Sequence, residues 1–287
     1  MFTYYLLKGL SWIVCLLPRL ARRLIGAGIG RLAWHIVPSW RQRMAVDNIR
    51  SCLGYEEADA LKIAKRSVWR FGHMLIEELY FPRINKDNIE KFITFKGGEH
   101  LQQAYNMGRG VVLATAHYGN WELTATAVSL AGYKQVSVGR KQNNAGADRF
   151  IHEYREMHGA KMIYKTGVLE MTRLLGQGHC IGLLMDQDAG HTGLPMVFLG
   201  KESFVPSGPA ALSRLCGAPI VPILSYSLPN GEYIQEFFPM LYSDKTSDRE
   251  QDIKNTTDKL LRIIEQEIIK RPEEWFWLHN RWRLNKD

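Results

Sequence analysis

The chain has 287 residues, of which 46% are apolar and 23% charged, with a formal net charge of +8. That balance excludes a disordered tail and a polytopic membrane protein, and it calls for an acidic partner: nucleic acid, anionic lipid or an acidic protein. The four cysteines (Cys15, Cys52, Cys180 and Cys216) lie far apart with no CxxC spacing, so neither a disulfide framework nor a cysteine metal cluster is expected, and a reducing compartment is.

Phe2 to Leu17 is almost wholly apolar, broken by Lys8, and is followed at once by Arg19, Arg22 and Arg23. The basic cluster follows the apolar run, which does not fit a cleaved signal peptide, and the run is short for a membrane span of roughly 20 residues. Leu6, Leu10, Ile13, Val14 and Leu17 recur at helical spacing. The segment reads either as an ordinary amphipathic core helix or as an anchor lying in one leaflet, with the arginines on anionic headgroups. Residues 1–37 are taken as this anchoring unit and 38–287 as the catalytic domain.

Ser39 is a plausible N-cap for a helix ending near Leu53, and Glu56 to Phe81 carries apolar residues at helical spacing until Pro82 stops it. From Phe92 onward the pattern alternates. Val111–Ala116, Gln135–Val138, Cys180–Met185 and Pro219–Leu224 read as buried strands. Trp121–Ala131, Asp148–His158, Val168–Leu175 and Pro209–Leu215 read as helices between them. Such alternation predicts an α/β sheet with helices on its faces. Ser247 with Glu250 predicts a capping box ahead of a helix to about Lys270, ended by Pro272.

No GxSxG elbow, P-loop, HExxH or Cys/His cluster is present, and Gly26, Gly28 and Gly30 follow no strand. What remains is His117-Tyr118-Gly119-Asn120-Trp121-Glu122. A His followed five residues later by a carboxylate is weak by itself, and His73 with Glu78 supplies a decoy inside a helix, where the two side chains point about 140° apart. His117 differs because it follows a buried strand and precedes a helix that Asn120 can cap. It is either a satisfied loop histidine or a general base, with Glu122 brought back by the turn to orient it and to stabilise the imidazolium. Asp186-Gln187-Asp188 ends another apolar strand. These groups can bind an acceptor sugar or headgroup, hold a metal, or simply cap the loop. Arg140 and Arg155 are either solvated surface cations or a grip for phosphate.

Together these residues resemble the bacterial lipid A late acyltransferases, the lauroyl/myristoyl acyltransferase family within the wider lysophospholipid acyltransferase superfamily. His117 to Glu122 is similar to the family's HxxNWE form of its HxxxxD/E motif, and Asp186-Gln187-Asp188 to its DQD strand end. Val197 to Gly200 resembles its F-x-F-F-G segment, Gly217 to Pro222 its GAPVVP strand, and Pro272 to Trp282 its PEQWFWLHRRW tail. The resemblance covers nearly the whole chain. It implies a central mixed, mostly parallel sheet flanked by helices, as in the glycerolipid acyltransferases, with a helical N-terminal membrane-anchor segment.

The resemblance further implies that His117 is the base and Glu122 its partner, and that Arg155, Asp186, Arg140, Gln187, Asp188 and Asn120 belong to the substrate site. The implied donor is an acyl thioester on acyl carrier protein or coenzyme A, with no metal and no further cofactor. The implied acceptor is a membrane glycolipid such as a lipid A precursor, handled by a monomer on anionic lipid at the cytoplasmic face of the inner membrane. Asn280 and Ser227 stand where the family often has arginine, which opens the acceptor to mannosylated phosphoinositides or other lysolipids. A non-catalytic lipid-binding protein of the membrane surface is the alternative of another class. Nucleic acid is not expected as a partner, because the aromatics lie in apolar runs and form no stacking platform.

Overall fold

The computed structural model describes residues 1–164 and 167–282. The last five positions of the expected catalytic domain, 283–287, lie outside the described residues. Four helices open the chain: α1 (Phe2–Leu16), α2 (Arg19–Ile36), α3 (Ser39–Leu53) and α4 (Glu57–Leu79). Strands and helices then alternate: β1 (Ile93–Lys96), α5 (Gly98–Asn106), β2 (Val111–Thr115), α6 (Trp121–Leu130), β3 (Gln135–Gly139), α7 (Ala145–Glu156), β4 (Lys161–Tyr164), α8 (Val168–Gly176) and β5 (Cys180–Leu184). A hairpin of β6 (Leu194–Phe198) and β7 (Lys201–Val205) follows, then α9 (Gly208–Cys216), β8 (Ile220–Ser227), β9 (Tyr233–Phe237) and α10 (Arg249–Lys270).

Seven strands form the central sheet in the order β1-β9-β8-β2-β5-β3-β4. Every neighbouring pair is parallel except β8 with β9, so the sheet is mixed and mostly parallel. The four strands read from sequence are its centre, where both faces are covered and the apolar runs are continuous. On one face Val112, Ala114, Ile181 and Ile220 pack with residues of α8, α9 and α10. On the other, Leu113, Cys180 and Val221 meet Leu101 of α5 and Val128 of α6.

Two capping expectations shift by one residue. Pro38, not Ser39, is the N-cap of α3, and Ser39 is its first helical residue. Asp248, not Ser247, caps α10, its side chain accepting from the Gln251 amide at 3.0 Å.

Residues 1–37 lie in α1, α2 and the short links that follow each. The inward face of α1 is mixed: Tyr4 and Lys8 both reach Glu153, Ser11 Oγ donates to the Leu79 carbonyl at 2.6 Å, and Val14 is buried in the core that Ile76, Leu79 and Phe150 share. Its outward face is apolar, with Phe2 82%, Trp12 66% and Leu16 58% exposed. The helix thus both packs on the core and presents an apolar face outward. α2 packs closely on α4 through Gly30 and Gly72, where a Cβ would strike the opposing backbone, with Gly26 close against His73, and it leaves Leu20, Leu24 and Ile36 outward. Among the described residues, no helix is long and apolar enough to cross a membrane.

Candidate active site

β2 and β5 are adjacent and parallel, with Thr115 opposite Leu184, so their carboxyl ends open on one edge of the sheet. His117 follows the first and Asp186 the second, which brings together side chains 69 positions apart. Asp186 Oδ1 accepts from His117 Nδ1 at 2.8 Å, while Oδ2 accepts from the His117 backbone N–H at 3.0 Å. Trp275 Nε1 donates to the same Oδ2 at 2.8 Å. These three bonds fix the ring's orientation and hold the proton on Nδ1. Among the described residues Nε2 has no hydrogen-bond partner, so its lone pair is available to a substrate.

Asp186 is 1% exposed. Burial raises its pKa, but the His117 charge and the hydrogen bonds to His117 and Trp275 outweigh that and hold it below the usual carboxylate range. Burial likewise lowers His117, yet the Asp186 charge and hydrogen bond carry the imidazole above its ordinary value. The pair is a base with an ionised orienting group.

The expectation that Glu122 orients His117 is corrected by this geometry. Asn120 caps α6, its Oδ1 accepting from the Leu123 amide at 3.0 Å, so Glu122 is already in the first helical turn. There its carboxylate is taken by Arg155, through Nε to Oε2 at 2.8 Å and Nη2 to Oε1 at 2.5 Å, and by Trp121 Nε1 at 3.1 Å. Glu122 acts on His117 only through its charge, which helps raise the imidazole pKa. The Trp121 ring stands edge-on to the imidazole at 5.0 Å.

The expected substrate contacts separate in the same way. Arg155 pairs bidentately with Glu122 through Nε and Nη2, which leaves Nη1 beside the Met162 sulfur at 3.9 Å. Asn120 is fully buried and is structural, capping α6 and donating from Nδ2 to Glu77 Oε2 at 2.7 Å. Asp186 holds the histidine, which removes it from the group expected to meet the substrate directly. Asp188 turns back to accept from the Gly190 amide at 3.1 Å, and Gln187 is half-buried beside it. Arg140 stands exposed just beyond the carboxyl end of β3 and makes no ion pair among the described residues.

The turn between His117 and α6 is built for one residue. Gly119 has φ +63°, and a Cβ there would overlap the Ser225 carbonyl of β8. The C-terminal segment completes the site: Gly119 N–H donates to Glu274 O at 3.0 Å and Phe276 N–H to His117 O at 3.2 Å. α4 grips that segment through Ser67 Oγ, which donates to the Trp275 carbonyl, and through Arg70, which pairs with Glu274 at 2.8 Å. Ser227 Oγ also donates to Glu274 Oε1, at 2.5 Å.

Sequence reasoning missed Trp275 as a partner of Asp186, although it stands in the recognised tail. It also dismissed Glu78, half of the decoy pair. Glu78 comes within electrostatic reach of Glu122 and Arg155, and burial together with the Glu122 charge pushes it up to about 8. The adjacent Glu77 is pushed by burial to about 7, its hydrogen bonds from Tyr233 and Asn120 notwithstanding.

A cleft open to solvent, with about 60 Å³ of internal room, runs from Glu122, Arg155 and Trp121 down between α6 and the sheet. It is walled by Leu113, Ala125, Val128 and Ile223, with Gln135 at its far end.

A family model described as bacterial lipid A biosynthesis acyltransferase matches residues 1–284. The chain is 23% identical to the lipid A biosynthesis lauroyltransferase of Escherichia coli K12, over 97% of this chain and 90% of that one. It is 22% identical to the palmitoleoyltransferase of the same organism, over 96% and 89%. It is 27% identical to a phosphatidylinositol mannoside acyltransferase of Mycobacterium tuberculosis H37Rv, over 75% and 69%. Among solved structures, the 1-acyl-sn-glycerophosphate acyltransferase of Thermotoga maritima superposes with a TM-score of 0.40 at 11% identity, covering 79% of this chain and 95% of that one. The chain belongs to the bacterial lipid A biosynthesis acyltransferase family and is an O-acyltransferase.

Proposed function

We propose that the protein transfers a fatty acyl chain from an acyl carrier protein thioester to a hydroxyl of a membrane glycolipid of the lipid A precursor class. The observation that supports this reading is the two-point hold of Asp186 on His117, which fixes the proton on Nδ1 and leaves Nε2 without a hydrogen-bond partner among the described residues. The acceptor hydroxyl gives its proton to Nε2 as its oxygen attacks the thioester carbonyl. The imidazolium so formed is stabilised by Asp186 and, at longer range, by Glu122. Collapse of the tetrahedral intermediate breaks the C–S bond, and the leaving thiolate takes the proton from Nε2. An ester and a free thiol result, and no cofactor beyond the donor thioester is required.

The acyl chain lies in the cleft beneath α6, where exclusion of water suppresses thioester hydrolysis. Glu122 and Arg155 hold each other at its mouth as a positioning pair, and Arg140 is the cation offered to an acceptor phosphate. A net charge of +8 favours the acidic surface of acyl carrier protein. The outward apolar faces of α1 and α2, with Arg19, Arg22 and Arg23 of α2 lining a cleft against the end of α4 and Gly231, support a monomer lying on anionic lipid. Such a surface suits the cytoplasmic side of the inner membrane.

A second reading keeps the chemistry and changes the substrates to acyl coenzyme A and a mannosylated phosphoinositide. It is favoured by the mycobacterial relative and by Ser227, which engages Glu274 where an arginine would offer a cation. Purified protein given each donor with each acceptor class separates the two readings by the lipid that gains an acyl mass. Acylation of phosphoinositide mannoside alone, or preference for coenzyme A, would replace the first reading by the second.

A further inference from the structure

The cleft beneath α6 is more polar inside than a saturated alkyl chain requires. Among the described residues, two of its lining groups are buried without partners: Thr124 Oγ1, in a residue 5% exposed, and Gln135 Oε1, in a residue 3% exposed. A helical threonine normally quiets its hydroxyl on the carbonyl one turn back. Thr256 and Thr257 of α10 do this, donating to Asp252 O at 2.8 Å and Ile253 O at 2.7 Å. Thr124 does not. Among the described residues, Gln135 donates from Nε2 only to the carbonyl of its own neighbour Val136, at 3.2 Å. A buried polar group left unpaired costs enough that its retention calls for an explanation.

The two groups belong to one channel. Trp121, Thr124, Ala125 and Val128 recur along the face of α6 that meets the sheet. Below them Leu113 pairs with Gly182 and Ser137 with Gly182, while Gln135 pairs with Cys180 one level deeper. From the level of Thr115 to that of Gln135 is four residues, roughly 13 Å along the strands. Gly182 keeps this passage hollow, since a Cβ there would come within 3.1 Å of Gln135 Nε2.

We infer that the cleft selects an acyl chain carrying a hydroxyl, recognised by Thr124 and Gln135; this rests on the reading that the cleft receives the donor's acyl chain. A hydroxyl both donates and accepts, so it satisfies Thr124 Oγ1 and either end of the Gln135 amide. A site built to pair a substrate hydroxyl rejects the chain lacking it, because its own polar groups then stay unpaired. Thr124 and Gln135 are specificity residues and take no part in the chemistry at His117.

The full-length protein and its Thr124→Val and Gln135→Leu variants are compared for binding of dodecanoic, β-hydroxydodecanoic and ω-hydroxydodecanoic acids by calorimetry. The corresponding acyl carrier protein thioesters are then set in competition for transfer. Wild type is expected to favour at least one hydroxylated chain by on the order of tenfold. Each variant is expected to lose most of that preference while melting at the same temperature or higher, since an unpaired polar group has been removed. Equal or tighter binding of the plain chain by wild type, or an unchanged preference in both variants, overturns the inference. Transfer without preference also overturns it while leaving the acyltransferase reading intact. Preferential binding with no transfer from any donor supports the inference and counts against that reading alone.

Discussion

Replacement of Asp186 by asparagine tests the base at its support. The carboxylate accepts three hydrogen bonds, from His117 Nδ1, the His117 amide and Trp275 Nε1. An asparagine has one acceptor oxygen, so its NH2 must face at least one of these donors, and the charge that stabilises the imidazolium is gone. Loss of an orienting carboxylate in such a couple costs about a thousand- to ten-thousandfold in kcat, or about 4–5 kcal/mol. The pH profile carries an independent sign. The base must be neutral, so activity rises with pH through the His117 pKa, which the Asp186 charge and hydrogen bond lift above its ordinary value against the effect of burial. Without that charge, burial dominates and the acid limb moves to lower pH. The assay is thiol release from the acyl thioester with lipid acceptor, recorded as kcat/KM against pH. An Asp186→Asn enzyme with near-normal kcat, or with its acid limb unmoved, would refute the assignment of Asp186.

Glu122→Gln leaves Arg155 half-buried without its charge partner and is expected to lower stability by roughly 3 kcal/mol in denaturant titrations, and the double change with Arg155→Met to recover part of it. Gly119→Ala combines a left-handed backbone with overlap on Ser225, so a loss of roughly 2–4 kcal/mol is expected, with activity falling further than the population of folded protein. The His117–Asp186 pair also has a pH window. The depressed Asp186 pKa contributes stability above the unfolded value of about 3.9 that is lost as pH falls through the folded one. The raised His117 pKa contributes stability below about 6.5 that is lost as pH rises through its folded value. Wild type is therefore expected to gain most over His117→Ala between about pH 4 and 6.5, read as the difference in melting temperature.

The central strands were legible because a sheet covered on both faces demands unbroken apolar runs, which β2, β3, β5 and β8 supply. β1 and β4 escaped notice because they are short edge strands with polar residues (Lys96, Lys161) in a four-residue span. The β6–β7 hairpin matched a family segment without revealing its partner strand. His117 was found from its place after a strand, but its partner was not, for a physical reason. Local spacing offered Glu122, five positions on, whereas Asp186 arrives through the adjacency of β2 and β5, and strand order is a tertiary property. The same limit applies to Trp275, which reaches Asp186 only because Ser67 and Arg70 of α4 hold the C-terminal segment. Arg155 was recognised as a site residue, yet its commitment to Glu122 depends on α7 packing beside α6. Composition suggested an anchor. In the structure α1 turns Tyr4 and Lys8 to Glu153 and Val14 into the core, and exposes Phe2, Trp12 and Leu16.

Transfer as proposed turns on deprotonation of the acceptor hydroxyl by His117. Its most direct test gives purified wild type and His117→Ala the same acyl carrier protein thioester and membrane lipid, and reads the acylated lipid by mass spectrometry. An added acyl mass is expected with wild type and a loss of roughly a hundred- to ten-thousandfold in the variant, which keeps its fold by circular dichroism. Equal transfer by the two proteins would contradict that role for His117.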